Sequence, residues 1–359
     1  MPDLLNRLYD EVAWRRRAWF LGRSDMRRRL RQPVISVGAL AVGGSGKTPL
    51  TAHVARLLVT MGERPAILSR GYRRADPVDG VVVVRTAERA VGDLATAGDE
   101  PWMLAQALDG VSVVVAADRY LAGRLAETHL GATVHLLDDG FQHLQLERCT
   151  DLLVVSPADL DDPRVLPGGR LRERLATARH ADAVLVPGLA DRRGQTDSTD
   201  DGSDSTHNDA DWRAHVAQRL RVARCFSVRR HLGSVVVTAP HPAPGALEPG
   251  TRVLAVAGIA RPGRFFDDVR DAGFDLARTM VFRDHHDYTA RDVSRVQDAA
   301  RAVQAQAIVT TDKDLVRFES CLPFTPPLAT MSLTLTVEPA GEFRSFLAER
   351  LAAERSTAA

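Results

Sequence analysis

Val34-Ile-Ser-Val-Gly-Ala-Leu-Ala-Val-Gly-Gly-Ser-Gly-Lys-Thr-Pro49 is the stretch whose reading decides the fold. An apolar, β-branched run leads into a glycine cluster and then Gly-Lys-Thr. A helical pattern follows, with Leu50, Val54, Leu57 and Leu58 on one face. The order is strand, phosphate loop, helix. Ala41, Val42, Gly43, Gly44, Ser45 and Gly46 supply backbone N–H groups that can close around a polyphosphate, and the helix start adds partial positive charge. Lys47 can reach the β- and γ-phosphates, and the Thr48 hydroxyl is suited to Mg²⁺. Pro49 fits the first helical turn, where its missing N–H costs nothing. One position departs from the strict pattern, which has glycine where Ala41 stands.

Composition points the same way. Of 47 basic residues only Lys47 and Lys313 are lysine. Where arginine serves every ordinary cationic need, a lysine kept at 47 marks a site that requires a compact ammonium. A chain of 359 residues is long for one domain and predicts two. The net charge of +1 gives no basic field for nucleic acid, so no nucleic-acid partner is expected. Cys149, Cys225 and Cys321 have neither metal spacing nor a disulfide framework, which fits a reducing cytosol. No apolar run approaches the ~20 residues of a spanning helix.

Charge is concentrated at the start. Residues 1–32 carry a local balance of +5, interleaved with Leu4, Leu5, Leu8, Tyr9, Val12, Trp14, Trp19, Phe20 and Leu21. A basic, aromatic-bearing amphipathic segment reads as a helix lying on an anionic membrane surface. The other reading is a helix packed on the domain with a solvated arginine face.

Further along, Ala66–Leu68, Val81–Val84, Val111–Val115, Leu152–Val155 and Ala183–Val186 read as buried strands. Gly98-Asp-Glu-Pro101 opens a helix with an acidic pair at its start, Asp99 and Glu100. An apolar strand ends in Asp138-Asp139, followed by Gly140-Phe-Gln-His143. A carboxylate there is the usual partner of a phosphate loop, since it holds Mg²⁺ directly or through water. Residues 191–211 are too polar to order themselves and read as an insertion without chemistry. Arg224–Val228 and Ser234–Thr238 look like two linking strands. Val253–Ala257 starts a second α/β unit that continues through Asp284-His285-His286-Asp287 to Thr310-Thr-Asp-Lys-Asp314. Adjacent histidines on a strand face opposite ways and make a poor chelate. One histidine working with a carboxylate is the better reading.

The fold expected is α/β: a P-loop NTPase-like α/β/α sandwich over residues 33–223, with a second, smaller α/β domain over 224–359 behind the helix of 1–32. Together these motifs resemble the tetraacyldisaccharide 4'-kinases, the lipid A 4'-kinases of Gram-negative bacteria. The resemblance rests on Val42–Pro49, Ser69-Arg-Gly-Tyr72, Gly98–Pro101, Asp138–His143, Leu166–Glu173, Asp284-His285 and Thr310–Asp314, in family order. It implies ATP- and Mg²⁺-dependent phosphorylation of the 4'-hydroxyl of a tetraacylated disaccharide 1-phosphate to lipid IVA, at the cytoplasmic face of the inner membrane. It further implies Asp99 as general base paired with His285, and Lys47 as a catalytic cation. Thr48, Asp138 and Asp139 would hold metal, and Tyr72, Glu100, His143, Arg172 and Glu173 would lie toward substrate. Arg170 departs from the family, which usually has proline there. Competing readings are a P-loop phosphotransferase with a small soluble substrate, and a nucleotide-binding switch without catalysis.

Overall fold

The computed structural model describes residues 2–43, 46–71, 79–188, 209–238, 245–318, 321 and 323–358. Gly44, Ser45, Tyr72 and residues 191–208 of the expected insertion lie outside them. The chain divides into two units, one of Met1–Arg230 with Leu335–Ala359, the other of His231–Thr334.

The first unit begins with α1 (Pro2–Leu21). Then come β1 (Val34–Ala39), α2 (Lys47–Thr60), β2 (Pro65–Ser69) and β3 (Val81–Arg85). α3 (Leu94–Ala97), α4 (Asp99–Ala107), β4 (Ser112–Ala116), α5 (Arg119–His129) and β5 (Val134–Asp138) follow. The unit continues through β6 (Thr150–Val154), α6 (Pro157–Asp161), β7 (Ala183–Pro187), α7 (Asp209–Leu220) and the first half of β8 (Cys225–Val237). Its strands lie in the order β8-β7-β6-β1-β5-β2-β4-β3, parallel except for the edge strand β3. Every residue of β1, β2, β4, β5 and β6 is buried. Parallel strands covered on both faces need continuous apolar runs, and that is how their sequences read. One core cluster joins Leu40, Phe141, Leu153 and Val184 to Val216 and Leu220 of α7. Another joins Val34, Leu68, Val114 and Leu137 to Ala122 and Ala126 of α5.

β1 lies between β5 and β6, so the connections run to opposite sides from it. This is a topological switch point, where the loops beyond the strand ends part and leave a crevice for ligand. The glycine-rich loop, Asp138 and Asp139, and the residues after β2 and β4 all follow the carboxyl ends of parallel strands.

The second unit contains β9 (Arg252–Ala257), α8 (Pro262–Asp271), β10 (Asp275–Val281), α9 (Ala290–Ala302), β11 (Ala307–Thr311) and α10 (Asp312–Phe318). The first part of β12 (Leu328–Glu338) completes it. The strands run parallel in the order β10-β9-β11-β12.

Three details depart from the sequence reading. The two linking strands expected around 224–238 are one strand, β8, whose middle residues are mostly exposed. β10 has no apolar signature because Asp275, Arg278 and Thr279 interrupt it and none of its seven residues is buried. Finally, α11 (Ala340–Ala358) groups with the first unit, although the sequence assigned everything after 224 to the second.

Candidate active site

The loop between β1 and α2 is held in shape from outside. Arg172 N–H donates to the Leu40 carbonyl at 2.7 Å, and Val42 N–H donates to the Arg170 carbonyl at 2.9 Å. Ala41 is buried between these bonds and bridges to Leu171. Its backbone takes no positive φ, so an alanine methyl is tolerated where the strict pattern has glycine. Gly43 and Gly46 do take positive φ, at 86° and 76°. Gly46 is the left-handed N-cap of α2, and Lys47 is the first helical residue. The helix N-terminus and the lysine thus share one end of the element, which suits an anion.

Asp138 and Asp139 close β5 opposite this loop. The parallel register pairs Asp138 with Val37 of β1, which brings both strand ends level. Asp139 has φ 54°, a left-handed conformation that Asp tolerates better than most residues. Its Oδ1 lies 3.6 Å from Lys47 Nζ, an ionic approach longer than a hydrogen bond, and its Oδ2 accepts from Arg172 Nη1 at 2.7 Å. Asp138 Oδ1 accepts from Thr51 Oγ1 at 3.0 Å, one helical turn beyond Lys47.

Burial, followed by the Glu100 and Asp139 charges, pushes the Asp138 carboxyl up to about 7. A divalent cation beside Asp138 would favour its charged form against burial and the neighbouring Glu100 and Asp139 charges. Among the described residues no three His, Cys, Asp or Glu side chains converge as an all-protein metal cage. Mg²⁺ keeps several waters and takes one or two carboxylates plus substrate phosphates, a demand that the Asp138–Asp139 pair meets. The donor set therefore fits Mg²⁺ with a nucleotide.

Around this centre, Asp99 and Glu100 start α4 behind the N-cap Gly98, and Asp99 is buried. His143 is pulled down to about 3 by burial, then by the Arg119 and Arg148 charges. It is therefore neutral at pH 7 and meets an anion as a hydrogen-bonding group, not as a cation. Arg119 is lowered to about 10 by burial and by Arg70, and stays charged. Arg148 donates to the carbonyls of Gly140, Phe141 and His143 at 3.3, 3.3 and 2.8 Å, fixing the loop that carries His143. Glu173 is buried in a two-pronged ion pair with Arg17 of α1, at 2.6 and 3.1 Å.

In the second unit, the loop after β10 separates the two histidines. His286 Nε2 lies 3.1 Å from Asp292 Oδ2, within the capping box that starts α9. His285 has φ 59° and its backbone N–H donates to the Gly258 carbonyl at 3.1 Å. Its ring stands between two cations: Nε2 is 3.0 Å from Lys313 Nζ, and Nδ1 is 3.0 Å from Arg317 Nη2. Lys313 also donates to Asp284 at 3.2 Å. Asp314 accepts from Gly258 N–H at 3.0 Å, from Tyr288 Oη at 3.1 Å and from Thr311 Oγ1 at 2.8 Å. The Thr310–Asp314 motif thus builds the frame that holds His285.

The first unit brings together Lys47, Asp138, Asp139 and Arg172 from the sequence-derived set. Thr51, Arg119, Arg148 and Arg17 carry no sequence signal of their own. Each is a lone residue whose part depends on what packs beside it.

These features have relatives. The model of the tetraacyldisaccharide-1-P 4'-kinase family matches residues 3–352. A tetraacyldisaccharide 4'-kinase of Geobacter metallireducens is 38% identical over 309 residues, covering 85% of this chain and 85% of that protein. One of Nitrobacter winogradskyi is 35% identical over 355 residues, covering 97% and 92%. The crystal structure of "apo" form LpxK from Aquifex aeolicus in complex with ATP matches with a TM-score of 0.74 and 28% identity over 97% of each chain. The chain belongs to the tetraacyldisaccharide-1-P 4'-kinase family.

Proposed function

We propose that this chain transfers the γ-phosphate of ATP to the 4'-hydroxyl of tetraacyldisaccharide 1-phosphate, giving lipid IVA, and that the crevice beyond β1 and β5 is where it does so. The observation that carries the reading is the meeting of Lys47, the α2 N-terminus and the Asp138–Asp139 pair at a switch point. Family membership supplies the reaction and the substrate.

Phosphoryl transfer asks chiefly for positioning and charge neutralisation. Residues 41–48 would wrap the phosphates. Lys47 would bear on the β- and γ-oxygens, and Asp139 would aim it. Asp138, Asp139 and the Thr48 hydroxyl would hold Mg²⁺, which supplies positive charge against the phosphate oxygens. Arg172 would keep Asp139 in place, and Glu100, His143 and Tyr72 would lie toward the sugar. Glu173, read from sequence as a substrate residue, is better taken as a fastening, because Arg17 occupies both its oxygens.

The sugar hydroxyl is too weak an acid to ionise at neutral pH. Asp99 would take its proton. Asp99→Ala is expected to lower kcat by about 10²–10⁴-fold while leaving the KM for ATP within severalfold. Near-normal turnover in that variant would remove Asp99 as the base.

The acyl chains of the substrate stay in a membrane, so the enzyme would work as a peripheral protein at the cytoplasmic face of the inner membrane. One observation favours α1 as the contact. Leu4, Leu8 and Val12 are 73%, 60% and 59% exposed, the opposite of a helix that buries its apolar face on its own domain. Among the described residues, no helix is long and apolar enough to cross a membrane.

A further inference from the structure

α1 turns its apolar residues outward and one arginine inward. Leu4, Leu5, Leu8 and Val12 are exposed, whereas Arg17 is only 3% accessible. Arg17 Nε donates to Glu173 Oε2 at 2.6 Å, and Nη2 donates to Glu173 Oε1 at 3.1 Å and to the Phe141 carbonyl at 2.9 Å. The guanidinium lies 4.4 Å from the Phe141 ring centroid. A buried arginine is unfavourable unless its donors are met, and this fork is met on three sides.

Both of its partners belong to the loops of the nucleotide site. Phe141 is two residues past Asp139 and fully buried. Glu173 follows Arg172, whose Nη1 donates to Asp139 at 2.7 Å. Asp139 in turn lies 3.6 Å from Lys47 Nζ. An alternating path of charges therefore runs Arg17, Glu173, Arg172, Asp139, Lys47, from the helix with the exposed apolar face to the phosphate-loop lysine. Smaller ties support it: Arg16 Nη1 donates to the Gln142 carbonyl at 3.1 Å, and Arg174 Nε donates to Asp10 at 2.9 Å.

We propose that Arg17 is a positioning residue of the nucleotide site, and that through it the docking of α1 on an anionic bilayer raises the affinity of that site for MgATP. The inference rests on the membrane reading of α1. Once α1 is fixed on a surface, Glu173 and Phe141 have one position to keep, and the loops bearing Arg172 and Asp139 lose their alternatives. Nucleotide binding then no longer bears the whole ordering cost. The coupling is reciprocal, so MgATP strengthens vesicle binding by the same factor.

The test measures the Kd for MgATP by calorimetry with and without vesicles of phosphatidylglycerol and phosphatidylcholine, with co-sedimentation followed on the same samples. Wild-type protein is expected to sediment with the vesicles and to bind MgATP on the order of fivefold more tightly on them. Arg17→Met/Glu173→Met removes both buried charges together, which a core tolerates far better than the loss of one. That variant should sediment like wild type and show the same Kd with and without vesicles. Arg17→Lys keeps the charge but cannot span both carboxylate oxygens and the carbonyl, and its response should be reduced. A wild-type protein that sediments without a change in Kd overturns the coupling, and so does a full response in the double variant. Should the double variant fail to fold, a full response in Arg17→Lys overturns it equally. A wild-type protein left in the supernatant overturns the membrane reading and the coupling with it.

Discussion

Asp138 is the residue most sensitive to what the site holds. Its carboxyl is raised to about 7 by burial and by Glu100 and Asp139, against an ordinary value near 3.8. A raised carboxyl favours the folded state while it is protonated. Its contribution is complete below the unfolded value and is lost as pH rises toward 7 and beyond. Protein without nucleotide or metal should therefore gain stability from Asp138→Asn at pH 8 but not at pH 4. The gain should be on the order of a few kcal/mol, read as a difference in Tm between the two pH values. Equal Tm changes at both would show that Asp138 is not a strained charge. Residues of this kind were legible because they stand in contiguous patterns: glycine loop with lysine, strand with paired aspartates. Thr51 and Arg17 were not, because a single threonine or arginine on a helix means nothing until the fold shows which carboxylate it meets.

At the scale of elements, β1 and the loop after β5 are fitted to each other more tightly than either sequence announces. A Cβ added at Gly38 would lie 2.5 Å from Phe141 Cβ and 2.7 Å from its backbone N. Gly38→Ala must push away the segment that carries Asp139 and His143. A loss of about 1–3 kcal/mol is expected, with a higher KM for ATP; denaturant unfolding and steady-state kinetics check both. Unchanged stability would mean the loop has slack that the packing denies. Elements with buried, β-branched runs were legible as strands at once. β10 was not, because a partly exposed strand at the sheet edge needs no apolar face. β8 looks like two strands in sequence because the mostly exposed Arg229–Gly233 interrupts its apolar signal while the backbone stays extended. α1 was legible as amphipathic, but its inward arginine was not, since periodicity cannot say which side of a helix finds a partner. That arginine also makes its own truncation costly: in Arg17→Ala, Glu173 would be left buried and unpaired, at about 3–5 kcal/mol.

At the scale of the whole molecule, the candidate site residues are distributed over two α/β units. The first holds the phosphate loop, the carboxylates and the surface helix. The second presents His285 in a frame built by Asp284, Lys313, Asp314 and Arg317. Both motif sets could be read along the chain in order, which is why the resemblance to a lipid kinase was legible before any fold was known. The unit boundaries were less so, because α11 returns to the first unit without any sequence signal that separates it from the second. The proposed reaction is tested most directly by one assay: γ-labelled ATP, Mg²⁺ and tetraacyldisaccharide 1-phosphate incubated with wild-type protein and with Lys47→Arg. It predicts label on the 4'-oxygen of the lipid with the wild type. It predicts a loss of at least about a hundredfold with the variant, whose planar fork cannot replace a compact ammonium. No labelled lipid from the wild type, or undiminished transfer by Lys47→Arg, would contradict it.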